Sequence, residues 1–200
     1  MPSKPSLILA SSSRYRKELL SRLRLPFTAI SPDVDETPQS GETPEALALR
    51  LSVAKAMTVA AGNPGSIVIG SDQVATVDGT PIGKPGDFTR AQAQLRALSG
   101  RMVEFHSALA VTDGLRVEKA DIITRCRFRQ LPDHAIDAYL QAEEPYDTAG
   151  SAKAESLGIA LMESIQSDDP TAIIGLPLIE LTRMLATFGL DPLDAPGAPA

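Results

Sequence analysis

Apolar positions in this chain change period from segment to segment, and each change marks an element. Leu7–Ala10 is a short apolar run that reads as a buried strand and stops at three serines, Ser11 to Ser13. From Arg14 to Leu23, Leu19, Leu20 and Leu23 recur at helical spacing, which predicts a helix capped by Ser13 or Ser12. Phe27–Ser31 reads as a strand followed by a polar loop. Thr43 then caps a helix with Pro44 at its first position and an apolar stripe of Leu47, Leu51, Ala54 and Thr58, ended by "GNPG". The β-branched run "SIVIG" predicts a central strand, "SDQVATV" continues it, and Asp78-Gly79 signals a hairpin turn.

After the loop "PIGKPGD", a helix is expected from Asp87 or Thr89 to Leu98, stopping at Gly100. Two long strand-like runs follow, Met102–Thr112 and Leu115–Arg129, joined at Asp113-Gly114. Pro132–Gln141 reads as a helix and Gly158–Ile165 as a strand. Leu178–Phe188 is the last helix, with Pro177 at its first position and Gly189 at its end. The pattern is mixed α/β, without internal repeats, and the long hairpin argues against a purely parallel, doubly wound sheet.

Bulk composition narrows the function. The 200 residues suit one domain, or one fold in two lobes: residues 1–190 form the expected domain, and the Pro- and Ala-rich tail 191–200 is expected to be disordered. A chain that is 43% hydrophobic but 4% aromatic builds an aliphatic core. A net charge of −6 speaks against general nucleic-acid binding, while leaving room for a local anion site. One cysteine, Cys126, excludes an intramolecular disulfide and a Cys-rich zinc site, and it reads as a half-buried strand residue. With no signal-like segment and no long apolar run, the chain is expected to be soluble and cytoplasmic, without membrane partners.

Five features carry candidate chemistry. The serine turn before the first helix, with Arg14 and Arg16 behind it, is either an ordinary cap or an anion site at a helix N-terminus. The two arginines are about 200° apart on the helix, so one of them is expected to face a ligand. In "VIGSDQV", Asp72 follows an apolar strand, a place suited to a metal ligand or a general base, or to an Asx turn. "DVDETP" crowds Asp33, Asp35 and Glu36, which invites a divalent cation or is simply a solvated loop. Lys55 borders the apolar face of its helix, and Lys84 sits in the rigid loop "IGKPG"; each reads as a phosphate contact or a surface lysine. His106 and His134 have no nucleophile partner in a recognisable motif, and neither a Walker A loop nor G-x-G-x-x-G occurs. Two carboxylate sites and three cationic sites together suit a triphosphate with a divalent metal, and water attack on phosphorus.

The segments "LASSSRYRKELL", "DETP", "IGSDQV", "GKP", "LSG" and "EPYDTAGSAKAESLGI…IIGLPL" resemble, in order, the signatures of the Maf family of nucleoside triphosphate pyrophosphatases. The resemblance runs from about Leu7 to Leu190. It implies a mixed α/β fold with a long curved sheet, flanking helices and two lobes around a cleft, similar to the inosine triphosphate pyrophosphatase fold. It implies hydrolysis of a nucleoside triphosphate to the monophosphate and pyrophosphate with Mg²⁺ or Mn²⁺, and a tendency to form homodimers. The family's proton acceptor falls on Asp72, and its phosphate and metal roles fall on Ser11, Arg16, Glu36, Lys55 and Lys84. Tyr15, Gln73 and Glu155 resemble the branch acting on 7-methyl-GTP, Tyr15 keeping an aromatic ring where that branch commonly has Trp. The branch acting on dTTP and UTP usually has Arg, Thr and Gln there. Many family members have Lys where Thr148 stands. The alternatives are a dTTP/UTP pyrophosphatase and a non-catalytic regulator of septum formation.

Overall fold

The computed structural model describes residues 5–194. Seven strands form one mixed sheet: β1 (Leu7–Ala10), β2 (Phe27–Ile30), β3 (Ile67–Val77), β4 (Thr80–Ile82), β5 (Met102–Thr112), β6 (Val117–Phe128) and β7 (Met162–Gln166). Their order is β2-β1-β3-β5-β6-β7, with β4 paired to the far end of β3. β1 runs parallel to both β2 and β3, and every other pairing is antiparallel. The helices are α1 (Arg14–Ser21), α2 (Pro44–Ala61), α3 (Phe88–Leu98), α4 (Asp133–Glu143) and α5 (Leu178–Thr187). The expected mixed α/β class, with a long hairpin inside the sheet, is what the chain adopts.

Side-chain caps set several boundaries. Ser13 caps α1 by accepting from Arg16 N, Thr43 caps α2 by accepting from Ala46 N, and Asp87 caps α3 by accepting from Arg90 N. Asp78 and Gly79 both take positive φ, 48° and 76°, the backbone of a tight hairpin turn, so β4 occupies the first residues of the expected loop. At Asp113-Gly114, Asp113 Oδ1 accepts from both Leu115 N and Arg116 N, which holds those two residues out of β6.

Three expectations are corrected. The buried face of α2 is Leu47, Ala48, Leu51, Ser52, Lys55, Ala56, Val59 and Ala60, while Ala54 is half-buried and Thr58 is exposed. The reason lies at Gly70 on β3: a Cβ there would meet Ser52 O at 2.1 Å and Ala56 N at 2.7 Å. The helix backbone lies on the strand, so small residues rather than leucines face inward at that point. Second, Gly158–Ile165 is not one strand. Leu157–Leu161 forms a 3-10 turn, because Gly158 packs against the Lys153 backbone, and β7 starts only at Met162. Third, Cys126 is fully buried, and burial pushes its thiol up to about 12.

Two main cores lie on one face of the sheet, toward opposite ends of β3 and β5, while α2 covers the other face. Leu9, Leu19, Leu20, Ile69, Leu109 and Leu181 belong to the one under α1 and α5. Leu95, Leu98, Phe105, Phe128, Ile136 and Leu140 belong to the one under α3 and α4. Pro192–Asp194 forms a short 3-10 turn, and the rest of the tail, 195–200, lies outside the described residues. Among the described residues, no helix is long and apolar enough to cross a membrane.

Candidate active site

The cleft follows from the unequal lengths of neighbouring strands. β3 pairs with β1 only over Ile67–Gly70, and with β4 only over Ala75–Val77. Between them the edge of β3 from Ser71 to Val74 carries no neighbouring strand. Asp72 and Gln73 sit on that edge and point to opposite faces of the sheet. Around it opens a cavity of about 570 Å³. Ser11, Tyr15, Arg16, Glu36, Lys55, Asp72, Gln73, Lys84 and Glu155 all line it. Residues spread over most of the chain are thus brought to one place.

One end is cationic. Lys55 Nζ donates to Asp72 Oδ1 at 2.6 Å and lies 2.7 Å from Glu36 Oε1. Its burial is tolerable because both carboxylates neutralise it. The contact with Lys55 is the main reason that the Glu36 pKa is lowered, with Lys84 and Arg16 adding to it. Arg50 on α2 fixes the loop carrying Glu36: it grips Glu42 through Nε at 2.7 Å and Nη2 at 2.8 Å, and donates to Thr37 O at 3.1 Å. That grip helps hold the Glu42 carboxyl at about 2. Arg16 Nε donates to Gly175 O at 2.9 Å, and Ser11 Oγ accepts from Ser13 N at 3.1 Å. Burial lowers the Arg16 pKa, with Asp72 and Glu36 opposing. Lys84 is exposed on the loop after β4, a loop tied down by Gln94 Nε2 to Gly83 O and by Gly86 N to Tyr146 O.

The other end is aromatic and rich in acceptors. Tyr15, Phe105, Asp147 and Glu155 line it, with Gln73 at its base. Glu155 keeps an exposed edge, yet partial burial of its carboxyl raises its pKa, with Glu143 adding and Lys153 and Arg14 opposing. Gln73 Nε2 donates to Ser107 Oγ at 2.9 Å, Ala172 O at 3.0 Å and Ile173 O at 3.1 Å.

Several lining residues were not singled out from the sequence, or were read differently. Arg14 lines the cavity as well as Arg16, contrary to the expected choice between them. Its long side chain bends back over Tyr15, 4.7 Å from the ring centroid, and donates to the hydroxyl at 2.8 Å. Asp147 and Phe105 also line it. Asp147 lies within the signature segment "EPYDTAGSAKAESLGI" but has no role assigned there, and Phe105 reads from sequence as an ordinary core strand residue. The turn 171–175 is legible only as part of the "IIGLPL" segment, with no residue role, because it contributes backbone carbonyls rather than side chains.

Two carboxylates are available for a cation. Asp72 and Glu36 each give one oxygen to Lys55, leaving Asp72 Oδ2 and Glu36 Oε2 without a protein partner. Among the described residues, no group of three or more His, Cys, Asp or Glu gathers around a common point. Two carboxylates completed by substrate phosphates and water are the donor set that Mg²⁺ or Mn²⁺ accepts, so the residues present fit such an ion.

Comparison with known proteins gives concordant matches. The family model described as Maf-like protein matches residues 6–188. A protein of Bordetella pertussis named 7-methyl-GTP pyrophosphatase is 81% identical over 196 residues, 98% of each chain. The protein of that name from Bordetella avium is 78% identical over 98% of this chain and all of its own. The one from Burkholderia thailandensis is 60% identical over 99% of this chain and 94% of its own.

Proposed function

The chain belongs to the Maf family, and from that premise we propose that it hydrolyses 7-methyl-GTP to 7-methyl-GMP and pyrophosphate. It is a nucleotide pyrophosphatase, a reading supported by relatives of that name at 60% to 81% identity. The observation that carries the substrate is the two-ended cavity, with Arg16, Lys55 and Lys84 at one end and, at the other, an aromatic ring among hydrogen-bond acceptors with Arg14 against one side of the ring. An N7-methylated guanine is a cation with N–H donors along its edge. It matches Tyr15 through its charge and ring face, and Glu155 through its charge and donors. A cation arriving beside Glu155 would oppose the burial that raises its pKa, and so favour its charged form.

In this reading the triphosphate lies along Ser11 and Arg16, with Lys55 and Lys84 on its oxygens. Asp72 takes a proton through Oδ2 from the attacking water. The water oxygen bonds to the α-phosphorus, the bond from that phosphorus to the bridging oxygen breaks, and pyrophosphate leaves with the electron pair. Arg16, Lys55 and Lys84 offset the charge that develops on the leaving group. Asp72 and Glu36 would hold the divalent cation, which supplies Lewis-acid neutralisation of the phosphates. Lys55 keeps the two carboxylates together, a pairing that would otherwise repel. We place the enzyme in the cytoplasm, where its nucleotide substrates are.

A nucleotide panel tests the reading. With Mg²⁺ or Mn²⁺, pyrophosphate release is measured on 7-methyl-GTP, GTP, ATP, dTTP and UTP, and 7-methyl-GTP is expected to give the highest kcat/KM. Preference for dTTP or UTP would reject the substrate assignment. Asp72→Asn is expected to keep the far-UV circular dichroism spectrum and to lose about 10²–10⁴-fold in kcat, the range for removing a general base. Near-normal turnover in that variant would remove Asp72 from the role.

A further inference from the structure

We infer that Ser107, a residue outside the lining of the cavity, fixes Gln73 as a hydrogen-bond acceptor toward the nucleotide, so that the pair detects an N–H donor on the base edge. The inference rests on the proposed nucleotide reading and adds a positioning residue to it. Ser107 is fully buried on β5, directly opposite Gln73 in the register of β3. Its hydroxyl donates to Ala172 O at 2.7 Å, which commits its one hydrogen. Only lone pairs remain for the neighbouring amide. Gln73 Nε2 lies 2.9 Å from that oxygen and also reaches Ala172 O and Ile173 O. Two N–H groups thus serve three oxygens, one of them shared.

The inverted amide is excluded by the same geometry. It would set Oε1 against two backbone carbonyls and a hydroxyl that has no hydrogen left to give, three repulsive contacts in place of three bonds. Gln73 Oε1 has no protein partner, and it is not among the buried atoms left unpaired, so it opens to the cavity. A group normally able to donate or accept is reduced to accepting. Such an acceptor complements the N1–H and 2-amino groups of a guanine. It repels adenine N1 and the carbonyl oxygens that flank the single N–H of thymine and uracil. The carbonyls doing this belong to the turn that also holds Arg16, since Gly175 O accepts from Arg16 Nε at 2.9 Å and from Ser71 Oγ at 3.0 Å. The orientation of the base reader is therefore set by the buried Ser107 hydroxyl acting together with the backbone carbonyls to which it is anchored.

The test is a cycle of four proteins, the wild type, Ser107→Ala, Gln73→Ala and the double variant, assayed on 7-methyl-GTP and dTTP. With the lock removed, KM for 7-methyl-GTP should rise about threefold to tenfold, the worth of one oriented hydrogen bond, with kcat within twofold. The preference over dTTP should fall by the same factor. In the Gln73→Ala background, Ser107→Ala should change the preference less than twofold. A preference unmoved by Ser107→Ala, or one that falls equally in both backgrounds, overturns the inference, since a merely structural serine acts without Gln73. A ligand-free measurement stands beside it. The side-chain amide protons of Gln73 should exchange slowly with solvent, and Ser107→Ala should shift their resonances and speed that exchange; unchanged shifts and exchange rates would also overturn the lock. A wild type without preference for 7-methyl-GTP would reject the substrate assignment instead, and the resonances would still decide the lock.

Discussion

Lys55 and His106 are buried basic residues, and each is held by a carboxylate. Lys55 touches Asp72 and Glu36 and belongs to the site. His106 on β5 and Asp121 on the adjacent β6 lie on the same face of the sheet as Asp72 but form a separate pair: His106 Nδ1 is 2.6 Å from Asp121 Oδ2, and Asp121 Oδ1 is buried without a partner. The hydrogen bond to Asp121, with the charges of Asp121, Glu104 and Glu45, raises the His106 pKa above 6.5, despite the opposing burial. A group whose folded pKa is raised contributes stability fully below its unfolded value and loses it as pH rises through the folded one. Urea midpoints should therefore fall as pH is raised from about 6 toward 9. His106→Gln should flatten that fall while leaving the nucleotide preference unchanged. An equally steep fall in the variant would assign the slope to other groups.

The placement of α2 on β3 decides whether Lys55 reaches Asp72. Gly70 is the point of closest approach, and the atoms a Cβ would meet are backbone atoms of Ser52 and Ala56, which cannot turn aside. Gly70→Ala must push the helix away from the strand. The expected cost is about 1–3 kcal/mol of stability, the range for overpacking, together with a loss of kcat/KM larger than that destabilisation explains at a temperature where the protein stays folded. Thermal melts and steady-state rates on the same sample check both parts; an unchanged rate would show that the Lys55 contact tolerates the shift. This element also marks where the sequence is legible. The cap at Thr43, Pro44 and the end at Gly62 can be read because they are local chemistry. The stripe through Ala54 and Thr58 misleads because a hydropathy pattern counts Ser52 and Lys55 as surface, whereas Gly70, far along the chain, makes room for them. Of the nine candidate residues, Ser11, Arg16, Glu36, Lys55, Asp72 and Lys84 stand out by their local chemistry, while Tyr15, Gln73 and Glu155 are found only through the family resemblance. Their neighbours Phe105 and Ser107, which act by packing and by orienting another side chain, carry no motif of their own. A backbone carbonyl such as Gly175 O has no side-chain chemistry to reveal its role, even though it lies within the "IIGLPL" segment.

For the molecule as a whole, the cleft joins parts of the chain that are otherwise held apart. The cationic end draws on α1, α2 and the loop after β4, and the base end draws on the segment from Asp147 to Glu155 and on the turn 171–175. A ligand reaching both ends ties these elements together, and its two halves should bind better joined than separate, because the second contact becomes intramolecular. Asp72→Asn permits the measurement without turnover. At about 100 times its Kd, 7-methyl-GTP should stabilise that variant by about 2.7 kcal/mol, a rise of roughly 5–11 °C in Tm for a chain of this size. Inorganic tripolyphosphate and 7-methylguanosine, each at the same concentration, should give shifts whose sum is smaller than that of the nucleotide. GTP should fall between the nucleotide and tripolyphosphate, since it keeps the N–H edge that Gln73 accepts and lacks the positive charge that Tyr15 and Glu155 favour. If tripolyphosphate alone reproduced the full shift, the base end would contribute nothing to binding, and the selectivity assigned to Tyr15, Gln73 and Glu155 would have to arise in the chemical step.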